Sequence, residues 1–560
     1  MNTPPLTRRA STAMAARCDA GSLAQVLAAL LWLPQAALLA LGVQRLSDGG
    51  GLAAVLGPAG GILALGWLRA SCEAWGARRV FRLARLRLSE LRVQVADALA
   101  ARSPLDRARP ASGLAASAIA EQAEAVVPWL ARYQPARWRV MLVPPLILLA
   151  VASLSWVAAL VLLAAAPLIP LFMAIVGWRA KAASEAQLVQ LGGMNAFLLD
   201  RLRGLATLRA LDAVDATAQR LRASAESLRR RTMAVLRIAF LSSAVLELFS
   251  ALGVAMIAVY VGFHLLGQLG FGAWGQRLSL GEGLFILLLA PAFFEPLRDL
   301  SAVWHDRAAG EAARDALERM AGGGVPLPGA RGGAAVAPRQ HGAPSIDVRA
   351  LGFAHAGEAP LFDGLDLHIG AGEHVALVGP SGAGKTVLLS LMAGLLPPQQ
   401  GGIAIGGVAL TPASAAALRG RMAWMGQRPH VFAGPVHANV ALGRPEAGRD
   451  AVAAAMRFAA LDEVAQAHPS AALGEGGLGL SGGEAVRLAL ARVAVHPQAD
   501  LLLVDEPTTH LDTETAARVI DALLQLAQGR TLIAATHDPL LIARLGRVIR
   551  LDPLPQEEAA

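Results

Sequence analysis

Six stretches of this chain stay apolar for about twenty residues at a time, near 21–44, 52–75, 138–155, 157–178, 239–266 and 280–298. About 20 apolar residues is the length an α-helix needs to cross a bilayer, so the pattern predicts six membrane spans. The third and fourth are parted only by a tight turn around Ser155, and the sixth contains Pro291. Between spans two and three, and again between four and five, helical periodicity persists in a polar background, as in Phe81, Leu83, Leu86, Leu88 and Leu91. Those loops are predicted to be helices that continue the spans and project tens of ångströms beyond the membrane. From Ala321 to Ser345 the periodicity gives way to a Gly/Pro/Ala run that cannot bury a core and reads as a linker. A strand-like run from Glu373 to Gly379 and a helix-like run from Val387 to Leu396 follow it. The organisation expected is a membrane domain over 1–320, a linker over 321–345 and a second domain over 346–560.

Composition agrees. At 560 residues, 55% hydrophobic and 16% charged, the chain is too long for one core and more apolar than a soluble protein of its size. The formal charge of +8 is carried almost wholly by arginine, Lys181 and Lys385 being the lysines. Arg78, Arg79, Arg82, Arg85, Arg87, Arg92, Arg102, Arg107, Arg109, Arg132 and Arg137 fall between spans two and three. Arg201, Arg203, Arg209, Arg229, Arg230 and Arg231 fall between four and five, while the short connections have only Arg45 and Arg277 near them. Basic residues gather on cytoplasmic loops, so both long loops and both termini are expected in the cytoplasm. This uses up most of the basic charge in the membrane half and argues against a nucleic-acid ATPase, the class a basic chain otherwise suggests. The first span lacks a secretory cleavage signal. Cys18 and Cys72 make neither a disulfide framework nor a metal-ligand spacing.

The chemistry sits in the second domain. Strand-like Glu373–Gly379 leads into Gly379, Pro380, Ser381, Gly382, Ala383, Gly384, Lys385 and Thr386, then into a helix-like run. Strand, G-x-x-x-x-G-K-T, helix is the context of a phosphate-binding loop, where backbone N–H groups and a helix N-terminus converge on phosphates. In it Lys385 reaches the β- and γ-phosphates of ATP and the Thr386 hydroxyl ligates Mg²⁺. An arginine-rich chain that keeps lysine here is informative, because a planar guanidinium does not replace a compact ammonium. Leu501–Glu506 reads as a buried parallel strand ending in two carboxylates. Asp505 suits Mg²⁺ and Glu506 suits the base that polarises the attacking water, although paired carboxylates at a strand end can also be plain surface charge.

Leu480-Ser-Gly-Gly-Glu484, followed by Arg487 and Ala489-Leu-Ala-Arg492, resembles the signature of the ABC transporters, and the resemblance extends over the whole chain. It implies a type IV (ABC1) exporter fold: an all-α six-helix membrane domain joined to an α/β P-loop NTPase domain. It also implies a head-to-tail ATPase dimer, in which Ser481, Gly482 and Gly483 face the γ-phosphate held by the partner, so that a lone half is nearly inactive. By the same resemblance Gln427 is the glutamine that senses Mg²⁺ and water, Thr509-His-Leu-Asp512 faces the dimer, and His537 is the switch histidine at the γ-phosphate. His355 stands where the family stacks an aromatic ring on adenine, and Glu484 replaces the usual glutamine. Intact Lys385, Asp505, Glu506 and His537 oppose the reading of a regulatory half with a dead ATP site.

Two further pairs of stretches, Pro167–Lys181 with Phe197–Leu205 and Gly283–Pro291 with Phe294–Leu300, are similar to the D-subunit family of the cytochrome-bd-associated exporter, CydD. That resemblance implies a heterodimer with a homologous C subunit in the bacterial inner membrane, export of cysteine and glutathione, support of cytochrome bd assembly, and handling of haem. His305, just past the last span, is then a candidate haem contact or a polar cap at the membrane exit. Arg139 and Arg179, near span ends, are placed to attract the carboxylates of glutathione or of haem, or simply to snorkel. An exporter of lipid, peptide or drug is the alternative within the same class.

Overall fold

The computed structural model describes residues 19–552 apart from 111, 168–193, 195, 196, 199, 203, 275, 276, 331–341, 443, 445, 462–479, 497 and 510. The chain forms two compact units, Met1–Ala96 with Ala111–Gly322, and Asp97–Pro110 with Gly323–Ala560.

The first unit is built from helices α1 (Ala20–Leu30), α2 (Trp32–Ser47), α3 (Ala53–Ala100), α4 (Gln134–Ala152), α5 (Trp156–Ala165), α6 (Val214–Leu265), α7 (Leu280–Ala302) and α8 (Trp304–Ala321). Among the described residues five segments are long and apolar enough to cross a membrane: Ala20–Ser47, Ala53–Ala100, Ser112–Ala152, Glu247–Leu265 and Leu280–Ala321. The shorter apolar α5 begins the fourth expected span, which lies outside the described residues beyond Pro167, as do Arg179 and Lys181. The first apolar stretch remains one candidate span, Ala20–Ser47, interrupted by a turn at Leu31 because Pro34 offers no N–H to the Leu30 carbonyl. At 1.5 Å per residue the 48-residue α3 and the 52-residue α6 are about 72 and 78 Å long. A hydrocarbon core is about 30 Å thick, so each helix continues about 40 Å past it.

Sequence explains the local turns. Ser155 donates its hydroxyl to Gly272 O at 2.7 Å, accepts from Ala158 N at 3.2 Å to start α5, and meets Tyr260 Oη at 2.9 Å. Ser279 and Glu282 form a capping box that starts α7, which runs on through Pro291 and Pro296. Ile147, Leu162, Ile257, Ile286 and Phe294 interlock α4, α5, α6 and α7. Leu56, Leu63 and Trp67 of α3 point outward, an apolar face that water does not favour and lipid does.

The second unit contains an antiparallel sheet, ordered β2-β1-β4-β5, and a parallel sheet, ordered β6-β7-β8-β3-β9. The first comprises β1 (Ile346–Ala354), β2 (Pro360–Ile369), β4 (Gln400–Ile405) and β5 (Val408–Ala409). The second comprises β3 (His374–Val378), β6 (Met422–Met425), β7 (Leu501–Asp505), β8 (Thr531–Ala535) and β9 (Arg547–Arg550). β7 and β8 are buried along their whole length, as a parallel sheet covered on both faces requires.

The tip of the first long loop belongs to this second unit. Ser103, fully buried, donates its N–H to Val325 O at 2.9 Å and its hydroxyl to Leu395 O at 2.6 Å. Asp106 Oδ2 accepts from Val325 N at 3.0 Å, and Leu327 N donates to Ala101 O at 2.9 Å. The head of the expected linker is therefore tied down by backbone hydrogen bonds, which need no apolar periodicity.

Gly310 of α8 allows a tight contact in the first unit to be tested. A Cβ there would stand 2.3 Å from Trp129 Cβ and 3.1 Å from Ala125 O. Gly310→Ala is expected to cost about 1–3 kcal/mol of stability, read as a lower melting temperature in lipid nanodiscs; an unchanged melt would show that the two segments are not locked together.

Candidate functional site

Parallel register gathers the candidate residues at one edge of the sheet. β3, β6, β7 and β8 all end there, with Met425 beside Val504, Asp505 beside Ala535, and Ala376 beside Ala534. The segments leaving those strands carry Gly379–Thr386, Gln427, Asp505–Glu506 and His537, and ligands bind outside the carboxyl ends of such strands.

The loop from Gly379 to Thr386 opens α9 (Lys385–Met392), with Gly384 as N-cap in the left-handed region at φ +90°. A Cβ on Gly384 would stand 2.7 Å from Phe362 Cζ, so both conformation and space demand glycine. Ala383 is buried and anchors the loop, while Pro380, Ser381 and Gly382 are exposed on it. Lys385 Nζ donates to Gly379 O at 2.8 Å and Pro380 O at 3.2 Å.

Asp505 is 3% exposed, accepts from the Thr386 hydroxyl at 2.9 Å through Oδ2, and has no partner for its buried Oδ1. Burial pushes its carboxyl above the ordinary carboxylate value, with the Thr386 hydrogen bond and the Lys385 charge opposing and the neighbouring Glu506 adding to the rise. An orphaned, desolvated carboxylate beside a hydroxyl is an oxygen donor set suited to a hard divalent cation.

Glu506 sits at φ +49°, a strained value for a non-glycine residue. Its N–H donates to Ala535 O at 2.8 Å, which pins the turn. The side chain then meets His537 Nδ1 at 2.7 Å and accepts from the Thr509 hydroxyl at 3.3 Å. Lys385, Thr386, Asp505, Glu506 and His537 are thus brought together. Gln427 is exposed two residues beyond the end of β6.

Ser481, Gly482 and Gly483 form the start of α10 (Gly482–Ala494). Ser481 N donates to Glu484 Oε2 at 2.7 Å, and Glu484 N to Ser481 Oγ at 3.3 Å. The unusual glutamate thus completes a capping box, a role its carboxylate fills as well as an amide does. Among the described residues no hydrogen bond joins Ser481 or Gly483 to the Lys385–Glu506 set. His355 stands apart as well, edge-on to Phe353 at 5.2 Å, at the end of β1 where Gln399 clamps Ala354 through both its N–H and its C=O. His305 is exposed on the first turn of α8.

Sequence reading did not give Asn439 a role. Arg492 of the signature helix donates to Asn439 O at 2.9 Å, Asn439 Oδ1 at 3.0 Å and His430 O at 2.7 Å. Burial, then the charge of Arg444, holds this guanidinium below its ordinary value. The signal was a lone asparagine between Val436 and Val440, a polar side chain in an apolar turn. Asp512 caps α11 (Thr513–Ala527) by accepting from Thr515 N at 2.9 Å, which holds its carboxyl below the usual range.

A raised carboxyl means that the folded chain retains a proton at Asp505 which the unfolded chain releases. That contribution is present at acid pH and is lost as pH rises through the folded value, so at neutral pH the ionised Asp505 is a cost. Asp505→Asn is therefore expected to raise the melting temperature of the nucleotide-free protein while abolishing the further rise that Mg²⁺-ATP gives the parent. A lower nucleotide-free melt in Asp505→Asn would contradict this.

The ABC transporter family model matches residues 362–509, and the ABC transporter transmembrane region matches 141–297. The chain is 36% identical over 486 residues to the glutathione/L-cysteine transport system ATP-binding/permease protein CydD of Haemophilus influenzae, covering 85% of this chain and 82% of that one. It is 29% identical to the corresponding CydC protein of Bacillus subtilis, covering 76% and 72%. The structure of a bacterial Atm1-family ABC exporter with ATP bound superposes with a TM-score of 0.76 over 95% of both chains at 21% identity, a likeness of fold. The chain belongs to the CydD family of ABC transporters, multi-pass inner-membrane proteins whose ATPase domain couples the hydrolysis of Mg²⁺-ATP to transport.

Proposed function

We propose that this chain is the D half of a heterodimeric exporter that moves cysteine and glutathione out across the bacterial inner membrane and so supports cytochrome bd assembly. The observation that carries the proposal is the division of the ATP machinery. Lys385, Thr386, Asp505, Glu506 and His537 converge on one sheet edge, whereas among the described residues the helix start at Ser481–Gly483 makes no hydrogen bond to them. A complete site then needs a second subunit's Ser-Gly-Gly, and a C-type partner supplies it.

In this reading Lys385 turns from Gly379 O and Pro380 O to phosphate oxygens, carrying a full charge into a loop of N–H donors. Thr386 and Asp505 would hold Mg²⁺, which would supply positive charge against that developing on the phosphates. Glu506 takes the proton of the attacking water, and His537 fixes the orientation of that carboxylate through their 2.7 Å contact. Gln427 reports Mg²⁺ and water, and His355 packs against adenine. Asp97–Pro110, continuous with α3 and hydrogen-bonded within the ATPase unit, carries closure of that unit toward the spans. Both termini and the ATPase domain lie in the cytoplasm, on the side where arginine gathers. Haem enters only through the family resemblance: His305 is a single exposed imidazole, and no group of three metal-ligating side chains occurs among the described residues. It stands as a candidate cargo.

Inverted membrane vesicles holding both halves are expected to accumulate labelled cysteine or glutathione when given ATP, and Glu506→Gln to slow that by about 10²–10⁴-fold, the usual contribution of a general base. Uptake of a lipid, peptide or drug in place of the thiols supports the alternative exporter; Glu506→Gln without effect moves hydrolysis to the partner's site.

A further inference from the structure

Where α1 begins and α7 ends, the first unit holds a cavity of about 240 Å³ lined by Gln25, Glu73, Arg132, Arg139 and Asp299. Glycine sets its geometry. A Cβ on Gly76 would stand 2.7 Å from Gly21 O and 2.9 Å from Gln25 Cγ, so the bare backbones of α1 and α3 touch and bring Gln25 beside Glu73. Arg139 comes from α4 and Asp299 from the last turn of α7.

Arg139 is the centre of this cluster. Its Nη2 reaches Glu73 Oε1 at 2.5 Å, but lies 3.4 Å from Gln25 Oε1, and Nη1 lies 3.8 Å from Asp299 Oδ2. Its Nε–H is buried without an acceptor among the described residues. Charge-assisted hydrogen bonds close to about 2.7–2.9 Å, so the 3.4 Å bond to Gln25 Oε1 is weak and the 3.8 Å pair with Asp299 is open, which leaves room for a ligand's own charges. Arg132 is engaged elsewhere, 3.3 Å from Asp306 Oδ2.

We propose that this cavity binds the zwitterion of a small α-amino acid, its carboxylate on Arg139 and its ammonium between Asp299 and Gln25, as the place where cargo is taken up. The inference rests on the cysteine and glutathione reading above and narrows it. Charged groups away from water are tolerated when paired, and with Arg132 held by Asp306 the lining offers Arg139 beside the carboxylates of Glu73 and Asp299. A net-neutral, dipolar ligand meets both signs without leaving a charge unpaired. Glutathione, with two carboxylates and one ammonium, or haem, with two propionates, leaves one. Size points the same way: at about 240 Å³ the cavity lies below the roughly 300–1,000 Å³ of pockets for drug-sized molecules, which suits a small amino acid better than glutathione or haem.

The test is equilibrium binding of labelled L-cysteine, under reductant, to the heterodimer in nanodiscs, with cysteamine and 3-mercaptopropionate as competitors lacking the carboxylate or the ammonium. Both are expected to compete at least ~10-fold more weakly than cysteine, and Arg139→Gln to weaken cysteine at least ~10-fold. Asp299→Asn leaves the Arg139–Glu73 pair in place and is expected to erase the preference for cysteine over 3-mercaptopropionate, a readout that loss of packing does not produce. Cysteine bound and exported by the parent but insensitive to both substitutions, or matched by both competitors, overturns the inference and leaves the export reading standing. A parent that neither binds nor exports cysteine overturns both.

Discussion

A carboxylate 3% exposed, with one oxygen hydrogen-bonded to a hydroxyl and the other to nothing, is the constraint around which the second unit is arranged. Such a group is expensive in a folded protein, and it persists because the sheet gives it no alternative: β7 is buried at every residue and delivers Asp505 to the edge where Thr386 begins α9. A divalent cation arriving with nucleotide would turn that cost into affinity. The left-handed Glu506 follows directly, because the chain must leave β7 sharply for its carboxylate to meet His537. The hydrolytic geometry is thus a consequence of how one strand ends.

The membrane unit meets a related difficulty with charge in a different way. Close backbone contact at Gly21 and Gly76 joins α1 to α3 and sets Gln25 beside Glu73, where Arg139 of α4 and Asp299 of α7 meet them. Here also polar groups are gathered but incompletely satisfied, and both clusters are places where the fold keeps interactions open for a ligand. The helix α3 passes from the first compact unit into the second at Asp97, so a single helix belongs to both.

Much of the ATP site was legible because its chemistry lies in contiguous residues whose spacing is itself the geometry: Gly379–Thr386, Asp505–Glu506 and Ser481–Gly483 each occupy one turn. The apolar stretches likewise announce helices, since crossing a bilayer fixes both length and composition. What could not be read was contact across the chain. Glu73 and Asp299 are ordinary span-end acids until the fold places both beside Arg139. Ser103 and Val325 pair through backbone atoms, which every residue carries, so no pattern marks them. Arg492 was visible in the signature, but its partner Asn439 was not, because a side-chain amide 53 residues away has no periodic signal. Glu484 looked like a departure and is instead half of a capping box with Ser481.

The central claim is that this chain holds one half of a shared ATP site. The measurement that tests it most directly is the ATPase rate of the chain alone, held monomeric in nanodiscs, compared with the same chain reconstituted beside a C-type half. The account predicts near-background turnover alone and full turnover on reconstitution, since Ser481–Gly483 of one subunit must complete the Lys385–Glu506 set of another. A monomer that hydrolyses ATP at the rate of the complex would contradict it.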